Sequence, residues 1–103
     1  MDNAGSKVAV DKKAEREKSR RAQELADVHA VMSMPGGAGR RFINRIVQFS
    51  EVMGEVFHTN GSITNLNLGK RKVGLFVYGE LEEASPELSL LMRQEYVKEN
   101  SDG

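Results

Sequence analysis

The sequence predicts an all-α protein: a small bundle of three to four helices carrying an extended charged N-terminal helix or arm. Three observations lead there. Apolar residues recur at helical spacing through the middle and end of the chain. Proline and glycine punctuate it where helices should stop and start, at Pro35-Gly36-Gly37 and Ser85-Pro86-Glu87. The first thirty residues are charged and poor in large apolar groups. The expected organisation is an arm over 1–24, flexible or helical, a helical domain over 25–98 and a frayed tail over 99–103.

Residues 1–11 (MDNAGSKVAVD) read as a flexible lead-in. Residues 12–24 are rich in good helix formers of both signs, and Glu17 precedes Arg21 by four residues, a favourable helical pair. Leu25, Val28 and Met32 then begin an apolar stripe, so one helix is expected from about residue 12 to 33. Proline at 35 disfavours helical geometry in Met34, and the glycines after it allow positive φ. A second helix follows from about Ala38 to Met53, with Phe42, Ile46, Phe49 and Met53 on one face and Ile43, Val47 and Val52 widening it; Gly54 closes or bends it.

Residues 55–65 (EVFHTNGSITN) are the least regular interior stretch, with a turn signal at Asn60-Gly61. They form an ordered loop pinned by Phe57 and Ile63, or a short hairpin pairing Val56-Phe57 with Ser62-Ile63-Thr64. A third helix is expected from about Asn65 to Glu83, with Val73, Val77, Leu81 and Ala84 along one face, joined by Phe76. Gly69, Gly74 and Gly79 each cost up to about 1 kcal/mol against alanine there, which points to close approach of another backbone. The stretch VGLFVYG is rich in strand formers, so a strand is the rival reading. In the last helix Ser85 caps, Pro86 suits the first position and Glu87 favours the dipole, with Leu88, Leu91, Met92 and Tyr96 as its apolar face.

Composition narrows the function. The chain has 103 residues, enough for one domain. Its ordered part is small enough for stability to be marginal, which favours self-association or a larger partner. The absence of cysteine excludes disulfides and thiolate metal sites. No apolar run approaches the ~20 residues of a membrane span, and no signal-peptide core is expected at the N-terminus. Charge is uneven within a net of zero: residues 1–30 sum to +1, residues 31–79 to +4 and residues 80–103 to −5. A chain of this kind can pair head to tail or present one sign to a partner.

The candidate site residues are Gly39, Arg40, Arg41 and Arg45 at the start of the second helix, with Lys70, Arg71 and Lys72 on the third. Backbone N–H groups at a helix start attract anions, and arginines add planar donors. The phosphate-loop pattern is absent, since no Gly-Lys-Ser/Thr follows. If the two helices pack side by side, the basic residues form one surface for a partner or for non-specific, salt-sensitive DNA contact. Alternatively they pair with the acidic residues Glu80, Glu82, Glu83 and Glu87. The arm segment KKAEREKSRR can bind nucleic acid, an acidic protein groove or nothing. His29 and His58 lack a local Ser or Asp partner, and the carboxylates near residue 82 lack room for a pocket, so no catalytic or metal site and no cofactor is expected.

Several segments resemble a family of small tailed-bacteriophage proteins, typified by a short open reading frame beside the portal and head genes of a Bordetella podophage. They are Gly39-Arg40-Arg41-Phe42-Ile43, the Phe57…Asn60-Gly61 stretch, the run from Asn67 to Leu75 (NLGKRKVGL), Ser85-Pro86-Glu87 and Leu91-Met92. The similarity covers about residues 25–97, and Leu68 stands where the family pattern has an acidic residue. The resemblance implies a non-enzymatic virion or assembly component. It would contact portal or neighbouring subunits with no cofactor, and would be found in the virion and, during assembly, in the host cytoplasm. The charged arm would reach a neighbour, and homo-oligomers are expected. The alternative is a nucleic-acid-binding or host-directed regulator made early in infection.

Overall fold

A computed structural model of the chain describes residues 4–50 and 59–102. The described residues form α1 (Ala4–Met32), a single 3-10 turn (Pro35–Gly37), α2 (Ala38–Ser50), α3 (Gly61–Ala84) and α4 (Pro86–Asp102), with no strand among them. The fold class is all-α, as the sequence predicts. Val56, Phe57, His58, Met53, Val52 and Gly54, which figure in the expected loop, hairpin and helix end, lie outside the described residues.

Helix α1 begins at Ala4 rather than near residue 12, so most of the expected lead-in is helical. From residue 6 to 20 every side chain is exposed. The helix docks only in its second half, through half-buried Leu25 and Val28 and buried Met32. It stops at the expected place. Met34 takes an extended ψ of 138° before Pro35, and Gly36 and Gly37 reverse the chain at φ of 77° and 78°, where side chains with a Cβ are strained.

Helix α2 crosses α1 at Gly39. A Cβ built there would lie 1.8 Å from the Val31 carbonyl oxygen, so only glycine lets the two backbones approach this closely. That contact sets which face of α2 is inward: Gly39, Val47 and Ser50 are buried and Ile43 half-buried. The expected stripe of Phe42, Ile46 and Phe49 is largely outward, with Phe42 57% and Phe49 76% exposed.

Helix α3 starts at Gly61, four residues earlier than expected, because the Asn60 side chain caps it by accepting from the Ser62 N–H at 2.9 Å. The turn signal at Asn60-Gly61 is thus a helix start, and Ser62–Thr64 is helical rather than strand. The strand-rich stretch Val73–Tyr78 is also helical, since tertiary packing overrides weak local propensity. Of its three interior glycines only Gly74 is buried; Gly69 and Gly79 are exposed with nothing within 4 Å of a Cβ position, so close approach of another backbone does not account for those two. Helix α4 opens on Ser85, whose hydroxyl accepts from the Leu88 N–H at 3.2 Å, and it runs on through the tail to Asp102.

All four helices meet at a narrow core of Met32, Leu81 and Met92, with Val28, Ile43, Val77 and Leu88 packed around it. Complete burial of each of the three central side chains contributes about 2 kcal/mol. The molecule is flat, 69 × 42 × 15 Å, with a Cα radius of gyration of 19.2 Å. A compact chain of this length would have about 13 Å.

Candidate functional site

The basic start of α2 faces α4 across an open cleft of about 560 Å³, whose walls include Arg40, Arg41, Asn44, Arg45, Glu95 and Tyr96. Helical spacing puts Arg41 and Arg45 on one side of α2, four residues apart. The turn of Pro35–Gly37 brings Arg40 back beneath the end of α1.

Arg40 is committed within the chain. Its Nε donates to Glu95 Oε1 at 2.7 Å and its Nη2 to Glu95 Oε2 at 3.1 Å, a two-point fork between α2 and α4. Its Nη1 donates to the Met32 carbonyl oxygen at 2.8 Å, which satisfies one open carbonyl at the end of α1. The hydrogen bonds from Arg40 hold the Glu95 carboxyl below the usual carboxylate range, and those to Glu95 raise the Arg40 guanidinium. Arg41 donates through Nη1 to the Gly36 carbonyl at 2.6 Å, fastening the turn.

The other candidates divide. Gly39 is buried at the helix crossing and presents no N–H surface to an outside anion. Arg45 lines the cleft beside exposed Phe49, and Lys70 of α3 sits over the Phe49 ring at 5.0 Å from its centroid. The structure therefore brings Arg40, Arg41 and Arg45 to one cleft, with Lys70 at its edge through Phe49. Arg71 and Lys72 are exposed on α3 and do not line it.

Two further charged clusters brace the helices. Arg21 of α1 donates to Glu80 at 2.9 Å and to Glu83 at 2.7 Å on α3, and also to Glu24 at 3.1 Å. The Arg21 bond lowers the Glu80 carboxyl, and the bonds to Glu80, Glu83 and Glu24, in that order, raise the guanidinium. Between α3 and α4, Glu82 accepts from buried Ser89 at 2.8 Å and from Arg93 at 3.0 Å, and Arg93 also donates to the Tyr78 hydroxyl. Pairing of basic groups with the chain's own acids was an expected alternative. The basic partners prove to be Arg21 and Arg93, while the α2 cluster uses Glu95. Together these pairs tie α1 to α3 and α3 to α4.

Among the described residues no group of three or more His, Asp or Glu side chains is placed to hold a metal ion. No helix among them is long and apolar enough to cross a membrane. No family model matches this chain, and no curated protein or solved structure matches it either.

Proposed function

We propose that this chain is a non-enzymatic structural or assembly component of a tailed-phage virion, portal-associated or internal, working through protein–protein contacts. The observation that carries the reading is surplus surface. The chain exposes 7894 Å², whereas a compact monomer of 11.4 kDa exposes about 5,800 Å². The surplus of about 2,100 Å² exceeds the ~800 Å² that one partner contributes to a standard interface. Part of the open surface is apolar: Phe49, Phe76 and Leu66 are 76%, 67% and 63% exposed. Exposed apolar patches of this kind mark interaction sites.

The charged residues support the same reading. Arg21, Arg40 and Arg93 are paired with carboxylates of the same chain, so they lock helices together rather than wait for phosphates. The resemblance of the Gly-Arg-Arg-Phe and Gly-Lys-Arg-Lys-Val-Gly-Leu blocks to small podophage proteins supports a place beside the portal or among internal proteins, with synthesis in the host cytoplasm. The test is copy number. Washed, DNA-filled particles should contain the chain at a fixed ratio to the portal protein, and its absence from them contradicts the proposal. Steeply salt-dependent DNA binding at physiological salt, with no particle incorporation, would replace it with a regulator that binds nucleic acid.

A further inference from the structure

We infer that the projecting half of α1 docks on nucleic acid without regard to sequence, its outward basic stripe holding the phosphate backbone. The inference goes beyond the protein–protein reading above and does not depend on it.

It starts from a length of helix that packs on nothing. Residues 6–20 of α1 are helical, and every side chain among them is exposed. The stretch is about 22 Å long. An isolated helix of about 12–15 residues is marginal in water, and this one is held at its root. Arg21 is bound to Glu80 and Glu83 of α3, and Leu25, Val28 and Met32 dock just beyond.

Charge is sorted around this helix. Residues 6–20 hold six basic side chains against three acidic ones, a net of +3. At about 100° per residue, Lys12, Lys13, Arg16 and Arg20 share an arc about 100° wide. Asp11, Glu15 and Glu17 fall outside that arc. The centre of the stripe lies roughly 135° around the helix from the side that Arg21, Leu25, Val28 and Met32 turn to the body. Arg20 and Arg21 mark the division: Arg21 is committed to carboxylates of α3, and Arg20 is not. None of the four stripe cations makes an ion pair among the described residues. Lys12 and Arg16 wall a shallow hollow of about 340 Å³ with Ser19, bordered by Glu15.

The chemistry of the stripe selects its occupant. A helix lying on a membrane surface needs an apolar face, and the two valines of this stretch, Val8 and Val10, lie about 160° apart around it. A protein groove that takes a helix grips apolar anchors at i, i+3, i+4 and i+7, and the stripe carries none. A phosphate backbone asks only for positive charge, whatever the base sequence. The helix is about 10–12 Å across with its side chains, and the major groove of duplex DNA is about 12 Å wide. Four phosphate contacts make the logarithm of affinity fall against the logarithm of salt with a slope of about −3 to −4.

Fluorescence anisotropy of the full chain with two DNA duplexes of unrelated sequence tests this. Both should bind equally, with that slope. The double variant Lys12→Gln, Arg16→Gln should flatten the slope by about 2 and weaken binding about 10-fold or more. Lys7→Gln, Lys18→Gln removes the same charge from the same stretch but outside the arc, and should change the slope little. Glutamine is a good helix former, so the circular dichroism of both variants should match the parent. Absence of binding at low salt overturns the inference. So does an equal loss in the two double variants, a preference for one duplex, or tighter binding to phosphatidylserine vesicles than to DNA. A chain that binds DNA but is absent from particles sinks the virion reading alone; a particle component that does not bind DNA sinks this inference alone.

Discussion

Gly39→Ala is expected to destabilise the fold although it replaces a helix glycine by the best helix former. The added Cβ would lie 1.8 Å from the Val31 carbonyl oxygen and 2.7 Å from the Val31 carbonyl carbon. A carbon–oxygen contact normally stops near about 3.3 Å, so α1 and α2 must separate by about 1.5 Å at their crossing. Both obstacles are backbone atoms and cannot rotate away. The separation pulls on Met32, which is 1% exposed, and on the 2.8 Å bond from Arg40 to the Met32 carbonyl. Overpacking of this severity belongs at the top of its usual range, about 3 kcal/mol. Alanine's propensity offsets up to about 1 kcal/mol of that. The net loss of about 2 kcal/mol should lower Tm by roughly 8–16 °C in a domain of this size. Thermal unfolding followed by circular dichroism at dilute, fixed concentration reads it, since self-association would shift Tm. Gly79→Ala, with nothing within 4 Å of its Cβ position, is the control and should raise Tm. A Gly39→Ala variant with unchanged or higher Tm would refute the close crossing.

Three other outcomes are expected. Gly74→Leu should destabilise strongly in chemical denaturation while Gly61→Ala changes little, because Gly74 is buried and Gly61 has nothing within 4 Å; equal midpoints would contradict the packing of α3. Ser85→Ala should cost about 1 kcal/mol through loss of the cap on the Leu88 N–H, read in the same assay. Acid should weaken the fold through Glu80 and Glu95. Both carboxyls titrate below their ordinary 4.5, so their contribution is present above that value and is lost as pH falls through the lower folded value. A Glu80→Gln, Glu95→Gln double variant should therefore show a shallower fall of Tm below about pH 4.5 than the parent does; parallel curves would rule the two pairs out as its cause.

Features encoded by neighbouring residues were legible in the sequence. The stop at Pro35-Gly36-Gly37 and the cap at Ser85-Pro86-Glu87 each follow from the conformational limits of two or three adjacent residues. The docking stripe of α1 was legible because Leu25, Val28, Val31 and Met32 are its only large apolar groups between residues 11 and 32, and Leu25, Val28 and Met32 share one face. Helix α2 was harder, since it is apolar on two sides. The inward side is chosen by a glycine, Gly39, and not by the larger Phe42 and Phe49. The candidate site was legible as chemistry and not as pairing. Arg40 reads as an anion binder, but its carboxylate, Glu95, is 55 residues away. Arg21 meets Glu80 across 59 residues. No local spacing encodes either pair.

Oxidative footprinting offers the most direct measurement of whether protein covers the surplus surface. Phe49 and Phe76 in dilute purified chain should label readily, as 76% and 67% exposed rings do. In the cells that produce the chain, labelling of Phe76 should fall several-fold relative to Val97 of α4, which is 63% exposed. Equal labelling of Phe76 in the two settings would contradict a function carried by protein–protein contact through this face.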